Sequence, residues 1–148
     1  IPNAGLHIGQ DDGSPKDARA EIGEGRVLGL STHSESQAAG AESLKGVLDY
    51  FAVGPVYATN TKPGRPAVGL ELVSKVAESR PSLPWFCIGG VNMRTARAVW
   101  NAGGRRIVAV SDVLLAENTT TAIESLRNEF LGAIPPYKNK GGKKYAHG

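Results

Sequence analysis

At 148 residues with 41% hydrophobic content, the chain has the size of one domain and enough apolar mass for a sizeable core. No run approaches the roughly 20 apolar residues of a membrane span and no secretory leader is visible, while the single cysteine, Cys87, excludes an internal disulfide and fits a reducing, cytoplasmic setting. The net charge of +3 comes from residues 135–148: without Lys138, Lys140, Lys143 and Lys144, 13 basic residues face 14 acidic ones, a net of −1, so neither a nucleic-acid nor a membrane partner is expected of the body of the chain.

The first residue is Ile1 rather than Met, which reads as a processed, trimmed or excised polypeptide. Leu6-His7-Ile8 predicts a short strand, with His7 in a hydrogen-bonded structural role. Ser14 then reads as an N-cap with Pro15 at the first helical position, and Ala18, Ala20 and Ile22 give that helix a weakly apolar face. Arg26–Ser31 predicts the second strand and Ser34–Leu44 the second helix. Asp49–Val53 is the third strand. Leu70–Ser79 repeats apolar residues at helical spacing through Leu70, Val73 and Ala77, and Pro84–Ile88 is the fourth strand, enclosing Cys87 as a buried, inert thiol. Asn92 is expected to cap a helix running to Asn101 with Ala96, Val99 and Trp100 inward. Arg105–Val110 is the fifth strand, a short turn follows at 112–115, and a last helix over Thr119–Leu131 carries Ile123, Leu126 and Phe130 as its stripe. Residues 135–148, with Pro135-Pro136 and Gly141-Gly142, read as a basic flexible tail or linker after a domain over 1–134.

Strands alternating with helices predict an α/β fold with a parallel sheet. Each strand ends in small or polar residues: Gly9-Gln10-Asp11-Asp12, Ser31-Thr32-His33, Thr59 to Lys62, Gly89-Gly90 and Ser111-Asp112. All lie at carboxyl ends, the functional face of barrels and open α/β sheets alike. The run Gly54–Arg65 packs two threonines, a lysine and an arginine among Gly and Pro. It suits an anion, through hydroxyl donors, backbone N–H groups and positive charge, or it is an ordinary polar turn. Gly89-Gly90 with Val110-Ser111 suit a phosphate cup, or the glycines serve close packing. Asp11-Asp12 supply carboxylate oxygens of the kind magnesium takes, or merely a turn. His33 has the chemistry of an acid or base but no evident partner. No Ser/His/Asp triad, metal-finger spacing or P-loop is present.

Together, His7-Ile8-Gly9-Gln10-Asp11-Asp12, Gly29-Leu30-Ser31-Thr32-His33, Asp49-Tyr50 with Gly54 through Lys62, Ile88-Gly89-Gly90-Val91 and Val108-Ala109-Val110-Ser111 resemble the thiamine-phosphate synthase family over roughly residues 4–131. The resemblance implies a (β/α)₈ barrel of the TIM type, of which about five βα units are present. It implies a transferase of thiamine biosynthesis that joins hydroxymethylpyrimidine pyrophosphate to hydroxyethylthiazole phosphate, with Mg²⁺ and release of pyrophosphate. By position, Asp12 is then the magnesium ligand. Ser31, Thr59, Thr61 and Lys62 surround the phosphate and pyrophosphate groups, Ser31 and Lys62 being the residues implicated in catalysis. Gly90, Val110 and Ser111 hold the thiazole phosphate. The family places further pyrophosphate-gripping basic residues and an Asn-Asp pair in the three amino-terminal βα units, which have no counterpart here. The expectation is therefore a complementary chain or a homo-oligomer as partner, and negligible synthase activity of this chain alone. Two other readings remain: a thiazole tautomerase using a histidine such as His33, and a non-catalytic phosphate-binding or assembly module.

Overall fold

In the computed structural model, which describes residues 4–58 and 66–132, strands and helices alternate as the sequence predicts. They run β1 (Leu6–Ile8), α1 (Pro15–Ile22), β2 (Leu28–Thr32), α2 (Glu35–Ser43), β3 (Tyr50–Val53), α3 (Gly69–Ser79), β4 (Trp85–Ile88), α4 (Ala96–Asn101), β5 (Ile107–Val108), α5 (Ser111–Leu114) and α6 (Thr119–Leu131). The sheet is parallel throughout, in the order β1-β2-β3-β4-β5. A doubly wound sheet would reverse its strand order part-way; strictly sequential order is the winding of a barrel wall, and five βα units make up more than half of an eight-unit barrel.

Register sorts the two faces of this wall. Ile8 is level with Leu30, Leu30 with Phe51 and Phe51 with Trp85, while Thr32 is level with Val53 and Val53 with Cys87. All of these but Thr32, whose buried hydroxyl donates to the Ala52 carbonyl, join Val73, Val76 and Val99 from the helices in one core. Phe51 stacks on Trp85 with centroids 6.4 Å apart, and each such fully buried side chain contributes roughly 1.5–3 kcal/mol. Alternation sends His7, Gly29, Ser31, Tyr50, Ala52, Phe86, Ile88 and Val108 to the opposite, lumen face.

The expected helix starts at Ser14 and Ser34 are present: the hydroxyls accept from Lys16 N and Gln37 N, and Pro15 opens α1. Four expectations are corrected. α4 begins at Ala96, because Asn92 spends its Oδ1 on Arg94 N in a separate turn ahead of the helix. The fifth strand shrinks to Ile107–Val108. On α6, Leu126 and Phe130 are buried against Ala96 and Trp100, but Ile123 is 49% exposed. On α1, Ala18 and Ile22 pack against the core as expected, but Ala20 is exposed and the buried residue is Arg19. Arg19 Nη2 pairs with Asp49 Oδ2 at 2.6 Å, and its other nitrogens donate to the carbonyls of Val47, Gly23 and Arg26. The cation thus ties α1 to the entry of β2 and β3.

β1 and β5 are edge strands among the described residues. Large apolar side chains lie exposed near these edges: Val27 at one, Leu114 and Leu115 at the other. The expected tail at 135–148 lies outside the described residues.

Candidate functional site

A cavity of about 340 Å³ opens at the carboxyl ends of the strands. Its volume suits a small organic ligand. Gly9 contributes from the end of β1, Ser31, Thr32 and His33 from β2, Gly54, Pro55 and Ala58 from the loop after β3, Gly89 through Asn92 from β4, and Val110, Ser111 and Asp112 from β5 and α5. Ala52, Ile88 and Val108 line it from the sheet.

Of the residues singled out in the sequence, the structure brings Ser31, Gly90, Val110 and Ser111 around this one space. Ser31 projects from the lumen face of β2; its Oγ lies 2.9 Å from His7 Nε2, and its carbonyl accepts from Gln10 Nε2 at 2.7 Å. Gly89 and Gly90 have φ of +91° and +64°, a region that disfavours any side chain. A Cβ on Gly90 would also stand 2.6 Å from Tyr57 Cβ. The glycines therefore satisfy both readings of the sequence: they admit the 57–58 segment and they line the cavity. Asn92 Nδ2 and Thr95 Oγ1 both donate to the Gly90 carbonyl, fixing its peptide. Across the opening, Met93 N donates to Asp112 Oδ2 at 3.0 Å, which ties the β4 loop to α5.

Asp12 stands at the same rim but does not line the cavity. Its Oδ2 accepts from Gly9 N at 2.7 Å, closing the turn whose Gly9 does line it. Thr59, Thr61 and Lys62 lie outside the described residues. Among the described residues no group of three or more His, Cys, Asp or Glu side chains converges as a metal cage. Magnesium needs no such cage, since it commonly takes one or two carboxylates and completes its shell with water and phosphate oxygens. The carboxylates at this rim fit that donor chemistry.

His33 has the partner that the sequence did not reveal. Its Nδ1 donates to the Gly54 carbonyl at 2.5 Å, and its backbone N–H donates to Gln37 Oε1. Nδ1 must carry hydrogen to bond a carbonyl, so the ring is oriented by β3's end. Cys87 is fully buried, and burial pushes its thiol up to about 12; it is inert, as expected. Asn92, expected only as a helix cap, and Asp112, noted only among the strand-end residues, also line the cavity. Both follow directly on a singled-out strand end, and position was the only signal they offered.

The family model described as thiamine monophosphate synthase matches residues 1–113. A thiamine-phosphate synthase of Thermobifida fusca is 44% identical over 86% of this chain and 58% of its own length. One of Saccharopolyspora erythraea is 47% identical over 84% and 56%. The chain thus spans just over half the length of these relatives. Among solved structures, a thiamine phosphate pyrophosphorylase from Pyrococcus furiosus superposes with TM-score 0.74 at 32% identity, covering 88% of this chain and 61% of that one. A 3-hexulose-6-phosphate synthase, at 19% identity and TM-score 0.56, shares the fold alone.

Proposed function

The chain belongs to the thiamine monophosphate synthase family, and we propose that it supplies the greater part of the active rim of a transferase joining hydroxymethylpyrimidine pyrophosphate to hydroxyethylthiazole phosphate. The observation that carries this reading is the convergence of Ser31, Gly90, Val110 and Ser111, from the ends of three strands, on one cavity. A dissociative coupling needs no protein nucleophile. It needs donors that neutralise a departing pyrophosphate and walls that hold the two rings together. The cavity has those walls, and its one nearby thiol is buried and inert.

In this proposal Ser31 donates toward the pyrimidine pyrophosphate, and Thr59, Thr61 and Lys62 complete the grip on the leaving group. Each charged hydrogen bond there contributes roughly 1.5–3 kcal/mol. Gly90, Val110 and Ser111 hold the thiazole phosphate through backbone N–H groups and a hydroxyl. Asp12 would hold Mg²⁺ jointly with phosphate oxygens, and the ion when bound supplies charge neutralisation on the pyrophosphate. The segment of the relatives that this chain does not cover would close the barrel.

The test is turnover with both substrates and Mg²⁺. The 148-residue chain alone is expected to be essentially inactive, and a polypeptide carrying the remaining three βα units is expected to restore coupling. Within that complex, Lys62→Ala should slow coupling more than it weakens thiazole phosphate binding, and Ser111→Ala should first raise the thiazole phosphate requirement. Vigorous turnover by the chain alone would overturn the need for closure. A reconstituted complex that binds thiazole phosphate equally well with and without Ser111 would overturn the site assignment.

A further inference from the structure

On the lumen face of the sheet, His7 stands between Tyr50 and Ser31. Its Nδ1 lies 2.8 Å from Tyr50 Oη and its Nε2 lies 2.9 Å from Ser31 Oγ. Register explains how three strands meet in one file. His7 is level with Gly29, and Gly29 with Tyr50. The missing side chain at position 29 leaves a slot across β2; a Cβ there would collide with the Tyr50 ring. The ring lies in that slot and reaches β1. It is held on its far side by the edge of Phe86, with centroids 5.3 Å apart at 78°.

A neutral imidazole offers one N–H and one lone pair, so this file has two arrangements with different consequences. If Tyr50 donates to Nδ1, then Nε2–H donates to Ser31 Oγ, and the serine keeps its own O–H for the cavity. If Ser31 donates to Nε2, the serine turns only lone pairs toward the cavity. A phenol donates better than it accepts, because its oxygen lone pair is delocalised into the ring. Partial burial also pushes the Tyr50 phenol up, keeping it neutral and protonated.

We propose that Tyr50 and His7 are positioning residues that hold Ser31 as a hydrogen-bond donor toward an acceptor atom of the ligand in the cavity. The proposal rests on the cavity being the substrate site, and it specifies what Ser31 presents there. The acceptor is an anionic phosphate oxygen or an aromatic ring nitrogen; a ligand that offers only N–H donors at this point is disfavoured.

Nitrogen-15 NMR of the full 148-residue chain reads the relay directly. The unprotonated nitrogen of His7, identified by its loss in His7→Gln, is expected to be Nδ1. Its resonance should move downfield in Tyr50→Phe, which keeps the packing ring and removes the donor. An unprotonated Nε2, or an Nδ1 resonance indifferent to Tyr50→Phe, overturns the relay. Should Tyr50→Phe fail to fold, the wild-type spectrum still decides which nitrogen carries the proton. In a second arm, with inorganic pyrophosphate and 4-aminopyrimidine as separate probes, Ser31→Ala and His7→Ala should each weaken whichever probe binds by about three- to tenfold. His7→Gln, whose amide N–H still reaches a serine oxygen, should recover most of that loss. Equal losses in His7→Ala and His7→Gln count against the relay. Failure of both probes to bind the wild-type chain counts against the cavity as substrate site, while the nitrogen spectrum continues to judge the relay.

Discussion

Phe51, Val53 and Cys87 in the middle of the sheet are fully covered, whereas Val27, Leu114 and Leu115 near its edges are 54%, 73% and 83% exposed. The same alternating architecture produced both regions, so composition alone does not separate them. Neighbours do: β3 has a strand on each side and helices beneath, while β1 and β5 each pair once among the described residues. The candidate site draws on both. Ser31 and Gly90 rest on the well-packed strands β2 and β4, and Val110 and Ser111 follow the two-residue edge strand β5. Half of the rim is therefore set by the central core, and the other half follows an edge strand and is held by the Met93 N–Asp112 Oδ2 bond and by packing of Ala109 and Val113 against the Ala96–Leu126–Phe130 cluster.

The widest difference between the regions should appear on truncating a central side chain. Phe51→Ala removes a fully buried ring stacked on Trp85 and should cost about 3–5 kcal/mol, read as a large fall in the urea midpoint; a loss below about 1 kcal/mol would place the core elsewhere. Arg19→Met comes next, at roughly 1–3 kcal/mol, because it removes the donor from three backbone carbonyls and the ion-pair partner from Asp49, which keeps only its Leu28 N–H bond. Its partner also gives the fold a pH dependence. The Leu28 N–H bond, with the Arg19 guanidinium and against some burial, holds the Asp49 carboxyl below the ordinary aspartate range. A lowered folded-state pKa means that the added stability is full above the unfolded-state value and is lost as pH falls through the folded-state one. Acid unfolding of Asp49→Asn should accordingly be flatter than wild type below about pH 4. The smallest effect should be at the edge. Leu115→Ser should change the stability of the chain alone by less than about 0.5 kcal/mol, yet weaken its association with the closing βα units by about tenfold. A destabilisation of the chain itself by several kcal/mol would show that this edge is already closed.

The order of the elements and, apart from helix α5 where a turn was expected at 112–115, their type were legible in the sequence because each strand is short, apolar and bounded by turn residues. Serine caps at 14 and 34 fixed two helix starts to within a residue. The misjudged boundaries have identifiable causes. Asn92 carries the residue type of a cap but spends it on a preceding turn. Ile123 has the spacing of a core residue, but only Leu126 and Phe130 of that stripe pack against the Ala96–Trp100 side, leaving Ile123 exposed. Arg19 was invisible as a core residue because its burial depends on carbonyls that only the fold assembles. The rim residues Ser31, Gly90, Val110 and Ser111 were legible from their places after strands. The Tyr50–His7–Ser31 file was not, since it depends on register and on the slot at Gly29.

Binding of phosphorylated ligands at the carboxyl-end rim is what the proposed function requires above all. Amide chemical shifts of the 148-residue chain, titrated with inorganic pyrophosphate and Mg²⁺, test it most directly. The expected result is saturable perturbation confined to Gly9, Ser31, Gly90, Ser111 and their neighbours, with the amino-end loops around Gly25, Gly46 and Ser82 unmoved. Saturable perturbation at those amino-end loops with a silent rim would contradict it.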